Sequence, residues 1–114
     1  LGELRARVLA LLRRARGEAS NRIRAGRATL DLTNKRAWFS GVELRLSATE
    51  YALLEFLVLH REGYFDRYEL LEHVWSGEAS IDPRTVDTYI RYLRRKLAEN
   101  AIETRRGLGY RFRG

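Results

Sequence analysis

The residues best suited to hold a partner lie between Pro83 and Leu97. At 100° per residue, Arg84, Thr88, Arg91 and Arg95 fall within about 60° of one another on one side of a helix, with Tyr92 beside them and Arg94 and Lys96 on the flanks. Such a face offers a row of hydrogen-bond donors under positive charge. A guanidinium fork matches the two acceptors of guanine, Thr or Tyr can meet a thymine methyl or a phosphate, and a B-DNA major groove admits one α-helix. The pattern equally fits a solvated amphipathic helix, in which Asp87 pairs with Arg91 four residues later. A second basic group follows, because Arg105, Arg106, Arg111 and Arg113 are spread over a hairpin pattern with Gly107 and Gly109 at its tip. An Arg on a narrow glycine-bounded turn can enter a minor groove and sense its width and potential. The plain alternative is a hairpin whose charged edges discourage aggregation.

Other chemistries find little support. The chain has no Cys, so disulfides and thiolate metal sites are excluded, and His60 and His73 alone do not make a zinc centre. Neither histidine has a carboxylate and a nucleophile at a recognisable spacing, so both read as surface or boundary residues, and no enzyme, cofactor or metal is expected. Glu50, Glu55, Glu69 and Glu72 read as caps and solvated helix faces. Gly107-Leu108-Gly109 does not open a helix and so is no phosphate loop. Trp75 reads as a core ring whose indole N–H reaches a phosphate at the rim.

The elements that must position these side chains follow from periodicity and caps. Val86, Ile90, Leu93 and Leu97 form the buried stripe of the basic helix, and Asp82 with Pro83 gives its start, running to about Glu99. Ser47 with Glu50 and Asp66 with Glu69 are capping boxes for two earlier helices, one carrying Tyr51, Leu54, Leu57 and Val58 to about His60, the other spanning about 67 to 75. The loop 76–81 separates the second from the third. Period-two runs predict strands near 28–32, 36–39 and 42–46, with turns at Thr33-Asn34 and Ser40-Gly41. Ile102 to Arg106 and Tyr110 to Arg113 predict the hairpin. At the start, Leu1, Leu4, Val8, Leu11 and Ala15 mark an amphipathic helix over 3–16, followed by a small polar linker over 17–26. A basic amphipathic helix also suits a membrane surface, but this one lacks bulky aromatics.

At 114 residues the chain can build one ordinary core, giving a domain over 27–114 plus appendages. Its net charge of +7 and pI near 10.4 favour a polyanionic partner. That charge alternates. Residues 1–46 hold eleven basic and four acidic side chains, residues 47–81 two and seven, and residues 82–114 nine and four. The acidic middle third would repel a polyanion, which leaves the basic last third, together with part of the first, to supply the binding face. No apolar run approaches the roughly 20 residues needed to cross a bilayer, and no signal peptide is recognisable, so a cytoplasmic protein is expected. A chain that starts inside a helical pattern and contains no Met is expected to be a piece of a longer protein.

Four segments together, LRLSATEYALLEFL (44–57), LLEHVW (70–75), RTVDTYIRYLRRKL (84–97) and TRRGLGYRF (104–112), resemble the OmpR/PhoB-type effector domain of bacterial two-component response regulators. The resemblance implies an α+β winged helix-turn-helix with an N-terminal four-stranded antiparallel sheet, three helices and a C-terminal β-hairpin wing. It implies contacts to double-stranded DNA from Arg84, Thr85, Thr88, Tyr89, Arg91, Tyr92 and Arg94, with Arg95 added by the helical wheel. Trp75 and Thr104 would touch the DNA backbone, Arg106 the minor groove, and Tyr110 completes the contact set. It further implies that residues 1–16 end a receiver domain phosphorylated by a cognate sensor histidine kinase, that two copies share direct-repeat sites, and that the loop 76–81 approaches RNA polymerase. Departures from the family pattern are Tyr92 where many members have Arg, Glu62 for Pro before Gly63, and Arg105 for Val before the wing Arg.

Overall fold

The computed structural model describes residues 21–76, 78 and 80–114 in two units, 1–43 and 44–114. The expected helix over 3–16 lies outside the described residues.

In the first unit, β1 (Arg22–Ala25), β2 (Ala28–Asp31), β3 (Arg36–Phe39) and β4 (Val42–Glu43) form an antiparallel sheet in chain order. Local chemistry sets each turn. The buried Asp31 carboxylate accepts from the backbone N–H groups of Thr33 and Asn34 and from the Asn34 amide, folding the chain back into β3. Ser40 and Gly41 both take positive φ, 52° and 84°, as a two-residue hairpin turn requires. Arg36 closes β3 to β4 with two 2.8 Å bonds to Glu43. Two expectations are corrected here. Residues 22–25, assigned to a linker by their small and polar neighbours, form β1, in which Ile23 faces Leu30 across the pair. The strand expected over 42–46 stops at Glu43, because the chain must turn into an extended Ser47 that caps the next helix.

In the second unit, α1 (Ala48–Leu59), α2 (Arg67–Val74) and α3 (Arg84–Lys96) precede a 3-10 turn (Glu99–Ala101) and the hairpin of β5 (Ile102–Arg105) and β6 (Gly109–Phe112). Both capping boxes form as expected: Ser47 and Asp66 accept from the N–H groups of Glu50 and Glu69, whose carboxylates reach back to the cap N–H groups. Glu50 is not a solvated cap, however. It is buried and takes a 2.7 Å bond from Lys96, which also donates to the Arg45 carbonyl and so fastens the end of α3 to the start of α1. Glu55 is likewise half-buried. Leu53, Leu54, Leu57 and Val58 of α1 pack in the core with Leu70 of α2 and Val86, Ile90 and Leu93 of α3. Each such side chain contributes about 1.5–3 kcal/mol on leaving water. Leu97, expected in the stripe, is only half-buried because α3 ends at Lys96.

The hairpin is anchored sideways. Phe65, in the loop between α1 and α2, exchanges two backbone hydrogen bonds with Tyr110, of 2.9 and 2.8 Å. Gly109 makes this approach possible: at φ +116° a Cβ there would lie 2.3 Å from the Phe65 carbonyl oxygen. Gly109→Ala is therefore expected to destabilise the chain by about 2–4 kcal/mol, through the forbidden backbone conformation and the clash together. Urea unfolding checks this, and an unchanged midpoint would contradict the account.

Candidate nucleic-acid interface

The first turn of α3 is built by Asp82 and Pro83. Pro83 is already helical in conformation, at φ −55° and ψ −24°, and Asp82 accepts from the Arg84 backbone N–H at 2.9 Å, as a cap should. The Asp82 carboxylate also holds the Arg84 guanidinium through Nη2 at 2.7 Å and Nε at 3.2 Å. This hydrogen-bonded pairing with Arg84 pushes the Asp82 carboxyl down to about 2. Thr88 lies one turn on, its hydroxyl leaning to the Arg84 carbonyl at 3.4 Å.

Further along, the helix divides its cations. Arg91 and Arg95 are exposed and take no hydrogen-bond or ion-pair partner among the described residues. Arg94 instead turns inward, donating from Nε and Nη2 to the Ile102 carbonyl at 3.1 and 2.7 Å and from Nη2 to the Thr104 hydroxyl. The helical wheel thus ranks Arg95 ahead of Arg94 at the exposed surface. Thr104 is exposed but occupied by that bond.

An aromatic row lies beside the free cations. Trp75 meets Tyr89 edge to face at 5.3 Å, and Tyr89 meets Tyr92 in the same manner at 5.4 Å. Trp75 was expected in the core; it is half-buried at the C-cap of α2, with its ring against the half-buried Tyr89 of α3. Thr85 and Tyr89 are half-buried, while Tyr92 reaches further into solvent.

The wing is more selective than its four arginines imply. Glu103 accepts from Tyr64 at 2.7 Å and from Arg111 at 3.1 Å, and lies 3.5 Å from both Arg105 and Arg113. The Tyr64 hydroxyl bond, together with the Arg111 and Arg113 guanidiniums, holds the Glu103 carboxyl below its ordinary range against the opposing effect of burial. Arg106, exposed beside the turn, takes no partner among the described residues. The strand register places Glu103 opposite Arg111, so alternation along the hairpin could have revealed this pair. Tyr64 and its ring, under Arg105 and Arg111, carried no sequence signal.

A second unforeseen group joins the wing to the helices. Tyr110 donates its hydroxyl to Asp87 at 2.6 Å, and Arg67 pairs with the other Asp87 oxygen at 2.7 Å. The expected Asp87–Arg91 pair does not form; Asp87 faces the wing and α2, which leaves Arg91 free. Above this network a cleft of 320 Å³, lined by Arg67, Thr104, Arg106 and Tyr110, separates α2 from the wing. Among the described residues no group of His, Asp or Glu is placed to hold a metal, and no helix is long and apolar enough to cross a membrane. His60 and His73 are exposed, as expected, with their rings 4.4 and 4.9 Å from that of Phe56.

Residues 41–112, which include α3 and the wing, match the family model described as "Transcriptional regulatory protein, C terminal". The chain belongs to this family of OmpR/PhoB-type regulators. It is 41% identical over 114 residues to the phosphate regulon transcriptional regulatory protein PhoB of Pseudomonas aeruginosa, a match that covers 96% of this chain and 50% of that protein. The chain thus spans about half the length of such curated relatives. The response regulator DrrB of Thermotoga maritima, an OmpR/PhoB homolog, superposes with a TM-score of 0.73 at 29% identity, covering 82% of this chain and 45% of that one. The RstA DNA-binding domain of Klebsiella pneumoniae, solved in complex with RstA box, superposes with a TM-score of 0.69 at 33% identity, covering 80% and 95%. The OmpR/PhoB-type fold is therefore a winged helix, with α3 in the place of the recognition helix and β5–β6 as the wing.

The Asp87 network has a measurable pH signature. Burial, then the bond to the Asp87 carboxylate, pushes the Tyr110 hydroxyl from 10 up to about 12. A raised pKa in the folded state stabilises the protonated hydroxyl, so this contribution is complete below pH 10 and is lost as pH rises toward 12. Tyr110→Phe is expected to cost about 1–2 kcal/mol at neutral pH and to remove that alkaline component. Paired unfolding curves at pH 8 to 12 check both, and a variant with the wild-type alkaline slope would overturn the assignment.

Proposed function

We propose that the chain binds double-stranded DNA in a sequence-specific manner and controls transcription as the output domain of a two-component response regulator. The observation that carries this reading is the set of exposed cations Arg91, Arg95 and Arg106, which take no partner among the described residues, the first two on the outer face of α3 and the third at the wing. A helix-turn-helix places its second helix in the major groove, and an Arg held at a hairpin tip suits the minor groove. α3 reads bases with Arg84, Thr88, Arg91 and Tyr92, while Thr85, Tyr89, Arg94, Arg95, Trp75, Thr104 and Tyr110 position the domain on backbone or through one another. Tyr92 places an aromatic ring and a hydroxyl where many family members carry a cation. It therefore exchanges a guanine preference for apolar contact with a thymine methyl.

The remaining partners follow from family membership and the resemblance. An upstream receiver domain is phosphorylated by a sensor histidine kinase, and phosphorylation brings two copies onto a direct repeat. The segment 76–81, in the acidic third of the chain, meets RNA polymerase. The compartment is the cytoplasm, and the domain performs no catalysis.

Selection of bound duplexes from a random pool tests the reading, and recovery of no enriched motif would sink it. Arg91→Ala should weaken binding to the selected site by about 1–3 kcal/mol and relax one base position, and Arg106→Ala should weaken sites with AT-rich flanks most. Equal losses on every sequence would reassign both residues to phosphate. Binding indifferent to salt would point to a protein partner in place of DNA.

A further inference from the structure

Arg84 is held through two side-chain hydrogen-bond donors by one carboxylate while remaining more exposed than the paired wing arginines Arg105 and Arg113. Its side chain keeps 79% of its accessible surface although Asp82 lies 2.7 Å away. The geometry of the pair is specific. Asp82 occupies the lateral edge of the guanidinium, taking Nε and Nη2, whereas Nη1 has no partner among the described residues. The end-on edge, with Nη1 and the outer hydrogen of Nη2, is left pointing away from the carboxylate as a two-donor fork. Arg84 also sits in the first turn of α3, the part of a recognition helix that contacts base edges in helix-turn-helix proteins.

Charge separates the two ligands such a fork can take. A phosphate is bound through net positive charge, and the Arg84–Asp82 pair has almost none; its carboxylate also repels a phosphate. Guanine presents two neutral acceptors, O6 and N7, for which direction matters more than charge. The pairing itself holds the Asp82 carboxyl down to about 2, so it is the carboxylate that faces the Arg84 guanidinium. Arg95 and Arg106, which take no partner among the described residues, are the better phosphate or groove-potential cations.

We propose that Asp82 is a positioning residue for specificity: by gripping the Nε–Nη2 edge it aims the free end of Arg84 at one guanine of the DNA site. The inference rests on the DNA-binding reading above and adds to it a base, a residue that reads it and a residue that orients the reader.

Bound duplexes are selected from a random pool by the 114-residue chain, wild type and with Arg84→Ala, Asp82→Asn or Asp82→Ser. Asn and Ser preserve the helix cap, and thermal melting verifies that each variant folds. The expected result is a guanine in the wild-type motif that Arg84→Ala loses, with a preference that both Asp82 variants reduce several-fold while every other position is kept. Replacing that guanine by 7-deazaguanine, which lacks the N7 acceptor, should weaken the wild type about ten-fold and leave Arg84→Ala unaffected. Asp82 variants with an unchanged motif would make Asp82 a cap and nothing more, and uniform weakening by Arg84→Ala would make Arg84 a phosphate contact. Either outcome overturns this inference while leaving DNA binding intact. A wild-type chain that enriches no motif overturns both.

Discussion

The second unit depends on a single carboxylate. Asp87 sits on α3 and receives both the Tyr110 hydroxyl from the wing and the Arg67 guanidinium from α2. The other ties between wing and helices engage backbone or hydroxyl groups: Arg94 of α3 donates to the Ile102 carbonyl and the Thr104 hydroxyl, and Phe65 shares two backbone bonds with Tyr110. A charged acceptor shared by two donors is stronger and more directional than a neutral contact. It also fixes how far the wing stands from α3, and that distance decides whether a helix and a hairpin can sit in neighbouring grooves at the same time.

The same logic explains why, among the described residues, most arginines of α3 and the wing are paired. Arg94 is consumed by the Ile102 carbonyl, Arg105, Arg111 and Arg113 by Glu103, and Arg67 by Asp87. These bonds build the frame on which Arg91, Arg95 and Arg106 are displayed. Lys96, with Glu50, does the same at the other end of α3, where burial alone would raise the Glu50 carboxyl but the ammonium and the Ser47 cap outweigh it and hold it low. A basic composition thus overstates the charge available to a ligand.

Much of this was legible in the sequence, for identifiable reasons. Val86, Ile90 and Leu93 repeat at helical spacing, Asp82-Pro83 and the two capping boxes mark helix starts, and Ser40-Gly41 marks a hairpin, because each is a local device whose chemistry acts within a few residues. β1 was missed since its alternation, Arg22-Ile23-Arg24-Ala25, lasts only four residues and adjoins a small, polar segment. The partners of Asp87 and Glu103 were missed for a different reason. Tyr110 and Tyr64 reach them across 23 and 39 residues, and no local pattern records such a meeting. Local arithmetic favoured Asp87–Arg91; the tertiary fold gave Asp87 two other partners.

The pair of backbone hydrogen bonds between Phe65 and Tyr110 bears on motion as well as placement. A two-stranded hairpin of four-residue strands is marginal by itself in water. Because it shares backbone bonds with the α1–α2 loop, its opening requires that loop to open with it, so the two belong to one cooperative unit. A wing that is already rigid before it meets a groove has little conformational entropy left to lose there, and the affinity of its contacts is reduced by that much less.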